Sequence, residues 1–331
     1  MRLHNWPPPG ISLRSRVAIG VIGATWRPLT FAIPPTRAGV RAMRALIASA
    51  LSVASPPVRG TDFVRVDEQV GGGLVVRGNW VRTPDTSPDD GAVLYIHGSG
   101  YAICSSRTHR GLTSHLAAAT GLPVFSIDYR LSPTHRYPAA PQDVRGAWEW
   151  LTANGHDPAR IVVAGDSAGG HLAITLALEL ARAGELLPAA IVTLSPILDL
   201  SMTAAIPRDR IERDPFAAAV VARKLLLTYA DAEAQRDDGL RIEFEGVNAF
   251  PPTLIHAGSR EMLGADCTEL ARRIRGAGFE VEHRVWPGQM HVFQAMTVVF
   301  PESHAAISDI ARFVATHLPS AKSNLPEVAS A

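Results

Sequence analysis

The chain has 331 residues, of which 47% are hydrophobic and 19% are charged, and its formal net charge is +1 at pH 7. This composition is typical of a globular protein with one large core, and the balanced charge excludes a polyelectrolyte, so we expect no nucleic acid partner. The two cysteines, Cys104 and Cys267, are too few for a disulfide framework and fit no zinc spacing. We therefore expect two core or loop thiols and a cytoplasmic protein, with a membrane- or envelope-associated one as the alternative.

The N-terminal segment is strongly basic. The first 60 residues contain eight arginines and no acidic residue, so the remainder of the chain has a net charge of −7. Residues 1–10 include three consecutive prolines and should be extended, and residues 11–33 are fairly apolar but lack a convincing cleavage site for a secretory signal. Residues 36–54 predict an amphipathic helix, because four apolar residues recur on one face: Val40, Met43, Ile47 and Leu51.

Two roles are open for this basic helix, in which Arg37, Arg41 and Arg44 share another face. A basic amphipathic helix binds anionic membranes, which makes residues 1–54 a candidate for peripheral membrane contact. The interpretation that we favour is a lid over an active site, with the arginines in solvent.

Strands and helices alternate along the rest of the chain. Residues 63–66 and 74–77 predict two strands joined by a glycine turn at 71–73. Six short apolar strands follow, at 93–96, 124–127, 161–164, 191–194, 253–256 and 281–286. Helices are predicted around 108–119, 139–152, 168–183, 265–277 and 302–317. This alternation predicts an α/β fold with a mostly parallel, twisted sheet that helices cover on both faces.

Residues 201–245 interrupt the alternation, and a helix is predicted within them from Pro215 to Tyr229. Because this insertion follows a strand, it should overhang the carboxyl edge of the sheet. That edge is where open α/β folds bind their ligands.

A serine lies between the strand at 161–164 and the helix at 168–183. The residues around it read Gly165-Asp166-Ser167-Ala168-Gly169, which is a G-x-S-x-G pattern. Strand, tight turn and helix in this order are typical of a nucleophile elbow, in which glycines let strand and helix approach closely around a strained serine. Ser167 is therefore the candidate nucleophile, and the alternative is that it only caps the helix.

A serine nucleophile needs a base, and the base needs an acid to orient it. In this arrangement the acid and then the histidine follow the serine along the chain. His291 lies in a loop between the last strand and the last helix, whereas the other late histidines fall within or after these elements. For the acid, Glu261 is closer to the end of the strand at 253–256 than Asp266, which is expected to begin the next helix. We favour Glu261 over Asp266.

Acyl transfer also needs N–H donors aimed at a developing oxyanion. The first strand of the alternating part leads into His97-Gly98-Ser99-Gly100, a glycine-rich turn that can direct successive N–H groups inward. We expect Gly98 and Ser99 to supply two donors and Ala168, the residue after the nucleophile, to supply another.

These motifs resemble the hormone-sensitive-lipase-like family of α/β-hydrolases. Its H-G-G-G turn is similar to residues 97–100, its G-D-S-A-G-G elbow matches residues 165–170, and its closing histidine loop is similar to residues 291–293. Two departures stand out, since Ser99 replaces a glycine of the family and Glu261 lies where aspartate is common. We expect Ser99 to avoid a positive φ, where a residue other than glycine is strained, and its hydroxyl is a further candidate donor.

The resemblance implies a domain organisation. It runs in order over about residues 60–317. A cap made of residues 1–55 and 201–245 would cover a core made of residues 56–200 and 246–317. A flexible tail would follow at residues 318–331.

The resemblance also implies an activity. The expected protein is a serine carboxylic-ester hydrolase that acts on short to medium acyl esters through a Ser-His-Glu triad, without a metal or cofactor. Dimers are common in the family, so a homodimer is one expected assembly. A lipase on lipid surfaces and a non-catalytic ligand-binding member of the fold are the alternatives, and the presence of His291 argues against the second.

Overall fold

The computed structural model describes residues 10–87 and 90–318. The extended start expected for residues 1–9 and the loose tail expected beyond residue 318 lie outside these ranges. Within the ranges, none of the helices has both the length and the apolar character that crossing a bilayer requires.

One eight-stranded sheet forms the centre of the molecule. Its strands are β1 (Asp62–Gln69), β2 (Val75–Arg82), β3 (Ala92–Ile96), β4 (Val124–Ile127), β5 (Ile161–Asp166), β6 (Ala190–Leu194), β7 (Thr253–Gly258) and β8 (Val281–Trp286). Their order across the sheet is β1-β2-β4-β3-β5-β6-β7-β8. Strand β2 runs antiparallel to both of its neighbours, and the other pairs are parallel. The predicted mostly parallel sheet is confirmed.

Helices cover both faces of this sheet. The helices of the described ranges are α1 (Leu13–Ala32), α2 (Arg37–Ala54), α3 (Arg110–Thr120), α4 (Ala139–Ala153), α5 (Ala168–Ala183), α6 (Ala205–Ile211), α7 (Ala219–Tyr229), α8 (Gly264–Gly276) and α9 (Glu302–His317). Those that cover the two faces are α3, α4, α5, α8 and α9. The predictions of α3, α4, α5, α8 and α9 are confirmed to within two residues at each end.

Strand β3 shows how the two faces are built. Its side chains alternate, so that Leu94 and Ile96 pack with α4, α5 and α8 on one face. Val93 and Tyr95 pack with α3 and α9 on the other face. Every residue of the strand is buried, as expected for a parallel sheet with helices on both sides.

We call residues 10–55 and 201–245 the cap. The amphipathic helix predicted there for residues 36–54 is confirmed as α2, and two other parts of the cap differ from the predictions. Residues 13–32 form the continuous helix α1, although the sequence predicted only a fairly apolar segment there. The helix predicted from Pro215 begins four residues later, at Ala219. The reason is that Asp214 accepts the N–H of Phe216, and Asp209 accepts that of Ala219, so side chains replace the first helical bonds.

Buried polar contacts join the two segments of the cap. The Arg27 guanidinium on α1 forms a bidentate ion pair with Asp209 on α6, with both N–O distances at 2.9 Å. Arg27 also donates to the carbonyl oxygens of Asp214 and Ala217. These bonds hold α1 against the insertion, so the two cap segments form one cover.

Candidate active site

The predicted site residues meet at the carboxyl edge of the sheet. Ser167 follows β5, Glu261 follows β7, and His291 follows β8. A cavity of about 300 Å³ opens there and is lined by Ser99, Ser167 and His291. Side chains of the cap also line it, so the carboxyl edge of the sheet and the cap share one mainly apolar cavity.

The elbow at Ser167 is strained. Its φ of 51° and ψ of −115° lie outside the regions that residues other than glycine usually adopt. The strain is imposed by close packing, since a Cβ on Gly165 would lie 2.5 Å from the backbone of Gly169. A Cβ on Gly169 would lie 1.9 Å from the Ile96 carbonyl oxygen at the end of β3. Glycine is required at both positions, and the chain must turn sharply at the serine between them.

His291 faces the buried carboxylate of Glu261. The distance from His291 Nδ1 to Glu261 Oε2 is 3.8 Å, longer than a hydrogen bond but within range of an ion pair. Burial by itself lowers the pKa of His291, but the Glu261 carboxylate and then that of Asp214 raise it above its ordinary value. Because Nδ1 faces the Glu261 carboxylate, Nε2 is the ring nitrogen that is available for proton transfer in the cavity.

Ser195 connects the acid to the histidine loop. Its hydroxyl donates to Glu261 Oε2 at 2.6 Å and accepts the N–H of Val292 at 3.2 Å. The Cys267 thiol also approaches Glu261, with its sulfur 3.6 Å from Oε1. Burial raises the pKa of Cys267 well above its usual range, so it stays a neutral thiol beside the carboxylate.

Asp266, the alternative acid, lies in the first turn of α8. Its carboxylate accepts the N–H of Leu198 at 3.2 Å. Burial raises the pKa of Asp266 to about 7. A carboxyl group that is half protonated near neutral pH is poorly suited to stabilise an imidazolium, and of the two acids it is Glu261 that the structure places beside His291.

The glycine-rich turn differs from the prediction in one donor. Gly98 donates its N–H to Asp166 Oδ1 at 3.0 Å, so it does not point into the cavity as an oxyanion donor. The expectation for Gly98 was wrong because a carboxylate occupies the space in front of it. A Cβ on Gly98 would lie 2.3 Å from Asp166 Oδ2. The residues of the turn that line the cavity are Ser99 and Gly100, and sequence reasoning missed Gly100.

Ser99 adopts the conformation that was expected to be avoided. Its φ is 73°, and that of Gly100 is 61°, so the turn is left-handed where the family pattern has glycine. The Ser99 hydroxyl pairs with the Cys104 sulfur at 2.8 Å, which directs it away from an oxyanion role. Among the described residues, no acceptor takes the N–H of Ser99 or Gly100.

Asp166 anchors the turn from below. Its Oδ1 also accepts the Tyr95 hydroxyl at 2.8 Å and lies 3.2 Å from His109 Nε2. Burial opposes ionisation, but His109 lowers the pKa of Asp166 below its usual range. The turn is held on its other side by Tyr129, whose hydroxyl donates to the His97 carbonyl oxygen at 2.8 Å. Asp166 precedes the candidate nucleophile in the sequence, but no sequence pattern indicated that it anchors the glycine-rich turn.

A further buried carboxylate, Asp214, comes from the cap. It accepts the N–H of Met262, the residue after Glu261, at 3.0 Å. Burial raises the pKa of Asp214 to about 6. Above that pH its negative charge adds to the field that favours a protonated His291. No motif in the sequence indicated this residue.

Comparison with known proteins agrees with this fold. A family profile described as the α/β hydrolase fold matches residues 93–295. The crystal structure of an esterase from the bacterial hormone-sensitive lipase family matches with a TM-score of 0.83 and 31% identity, over 94% of this chain and 100% of that one. The chain belongs to the hormone-sensitive-lipase-like family of α/β hydrolases.

Its sequence relatives include proteins named as esterases and acetyl-hydrolases. The carboxylesterase/phospholipase LipF of Mycobacterium tuberculosis is 36% identical over 243 residues, which cover 71% of this chain and 65% of LipF. The acetyl-hydrolase of Streptomyces hygroscopicus is 34% identical over 237 residues, which cover 72% of this chain and 79% of that protein. The hydrolase therefore spans just under two thirds of LipF and more of the acetyl-hydrolase.

We predict that Asp166→Ala destabilises this hydrolase by about 3 kcal/mol or more. The change leaves the Tyr95 hydroxyl and the Gly98 N–H buried without their acceptor, and each such group costs about 1–3 kcal/mol. Urea titration followed by circular dichroism measures the loss. Asp67→Ala is the matched control, because its ion pair with Arg77 is exposed and contributes little. Equal midpoints for the two variants would contradict the anchoring role.

Proposed function

We propose that the protein is a serine carboxylic-ester hydrolase in which Ser167, His291 and Glu261 form the triad. The observation that carries this proposal is the common cavity of Ser167 and His291, with Glu261 buried 3.8 Å behind the histidine. The strained elbow projects the serine hydroxyl from the end of β5 at the N-terminus of α5, where backbone N–H groups and the helix dipole favour negative charge. A non-catalytic, ligand-binding protein of this fold would not need a histidine base in the same cavity as its serine.

The reaction follows from these positions. Ser167 Oγ attacks the ester carbonyl carbon, and His291 Nε2 takes its proton while Glu261 stabilises the imidazolium. The carbonyl oxygen becomes an oxyanion, for which the N–H groups of Ser99, Gly100 and Ala168 are the donors. The C–O bond to the alcohol then breaks, and His291 gives the alcohol its proton. Water attacks the acyl-serine by the same route and releases the acid.

The decisive variant is Ser167→Ala. Because it removes the attacking oxygen and leaves the cavity intact, we expect kcat/KM for p-nitrophenyl butyrate to fall by about 10⁴-fold or more. Ser52→Ala, an exposed serine on α2, is the control and should retain full activity. If Ser167→Ala keeps most of the activity, Ser167 is not the nucleophile.

The size of the cavity is evidence for a preference for short to medium acyl chains. Its volume of about 300 Å³ is at the lower end of small-molecule sites, and its lining is mainly apolar, with Trp26, Met43 and Phe216 among its walls. In a series of p-nitrophenyl esters, kcat/KM should be highest between acetyl and octanoyl chains and fall steeply for palmitoyl. A maximum at palmitoyl would contradict this assignment.

The pH profile should depend on the cap through Asp214. Activity requires neutral His291, so kcat/KM rises as pH increases through the pKa of that histidine. The Asp214 carboxylate raises this pKa, and Asp214→Asn removes its charge. The rising limb should therefore move to lower pH. Asp238→Asn, on a nearly fully exposed cap carboxylate, should leave the profile unchanged. If Asp214→Asn lowers the melting temperature but does not shift the rising limb of the kcat/KM profile, the role of Asp214 is purely structural.

A further inference from the structure

Helix α1 carries an apolar stripe on the side that faces solvent. Leu13, Val17, Val21 and Phe31 are 77%, 59%, 56% and 57% exposed. With exposed Gly20, Ala24 and Pro28, they fall within an arc of about 100° of the helix surface at 3.6 residues per turn. The stripe extends over the whole length of α1.

The opposite side of α1 already serves the fold. It buries Ser15, Ile19 and Thr30, and Trp26 stacks on Phe216 with ring centroids 5.8 Å apart. The inner side is packed by the fold, so an apolar outer side is expected where that side is covered as well. Of the twelve large apolar side chains that the described part of the chain leaves exposed, six lie between residues 13 and 53. Four of the six belong to the stripe, which marks the outer side of α1 as a contact surface.

The charge around the stripe indicates what kind of partner would contact it. Residues 10–60 contain no acidic residue. Arg27 and Arg44 point inward, where Arg27 pairs with Asp209 and Arg44 donates to the Ala102 and Ser132 carbonyl oxygens. Arg14 and Arg16 are exposed on α1 and border the stripe, and the Arg14 guanidinium also donates to the Val298 carbonyl oxygen. Arg37 and Arg41 are exposed on α2. Two copies that joined through this face would bring like charges together, whereas an anionic surface complements it.

The stripe ends at the entrance of the catalytic cavity. Phe31, the last residue of the stripe, is 57% exposed and also lines the cavity. Pro34 and Pro35, in the exposed turn between α1 and α2, line it as well. A surface on which this face rests would therefore lie against the cavity mouth.

We propose that the outer side of α1 docks on an anionic lipid bilayer and presents membrane-held esters to the cavity. The partner is the bilayer surface, with the apolar stripe in the interfacial region and the arginines beside lipid phosphates. The proposal rests on the proposed ester hydrolase for the fate of the bound ester, but docking itself requires no catalysis.

Vesicle flotation with the full chain tests the docking. Vesicles of phosphatidylcholine with phosphatidylglycerol should carry the protein, whereas vesicles of phosphatidylcholine alone should carry little, and high salt should release it. Val17→Asp/Val21→Asp changes only exposed residues outside the cavity, and it should lower binding about tenfold or more. Leu186→Asp/Val64→Asp adds the same charge on exposed sites elsewhere and should bind as the wild type does.

Two ester assays separate this proposal from the proposed function. Val17→Asp/Val21→Asp should hydrolyse soluble p-nitrophenyl acetate at the wild-type rate and lose activity on a medium-chain ester embedded in the anionic vesicles. Equal vesicle binding by this variant and the wild type, or equal binding to both vesicle types, would overturn the docking proposal. A third result would also overturn it: the wild type forms a dimer and does not bind vesicles, and the variant is a monomer. The stripe would then join two copies of the chain. If wild type does not hydrolyse the soluble ester, the proposed function fails instead.

Discussion

The close approach of three backbone segments at the elbow constrains the whole active site. The end of β3, the end of β5 and the start of α5 meet so tightly that a single Cβ on Gly169 would lie 1.9 Å from the Ile96 carbonyl oxygen. The sheet pairs β3 directly with β5, and this pairing brings the glycine-rich turn beside the serine. Because the contact is between backbones, it leaves Ser167 in a strained conformation at the sheet edge, and the buried sheet resists its relaxation.

Buried polar groups transmit this constraint to the rest of the site. Asp166 precedes the serine, and through Gly98 and Tyr95 it holds the turn that contains Ser99 and Gly100. Ser195 and Asp214 hold the acid loop, the first at Glu261 and the second at the neighbouring Met262. These groups lie out of water, where a hydrogen bond is strong and an unpaired polar atom is costly, so the site is preorganised by its scaffold.

The cap takes part in the electrostatics of the site as well as covering it. Arg27 pairs with Asp209, whereas the nearby Asp214 carboxylate raises the pKa of His291. The same helix that carries Arg27 presents its apolar stripe to the outside. Helix α1 therefore contacts the charged cluster near His291 on its inner side and forms the outer surface through which we propose that an ester arrives.

The sequence determined the fold class, the positions of the sheet strands and core helices, and the places of Ser167, Glu261 and His291 after three of those strands. It could do so because apolar periodicity and the G-x-S-x-G pattern are local signals, each readable within a few residues. Only the tertiary structure decided that Gly98 serves Asp166 rather than the oxyanion, that Ser99 adopts a positive φ, and that Gly100 lines the cavity. The bond of Gly98 to Asp166 and the contact of Asp214 with Met262 join residues 68 and 48 positions apart, which no local pattern encodes.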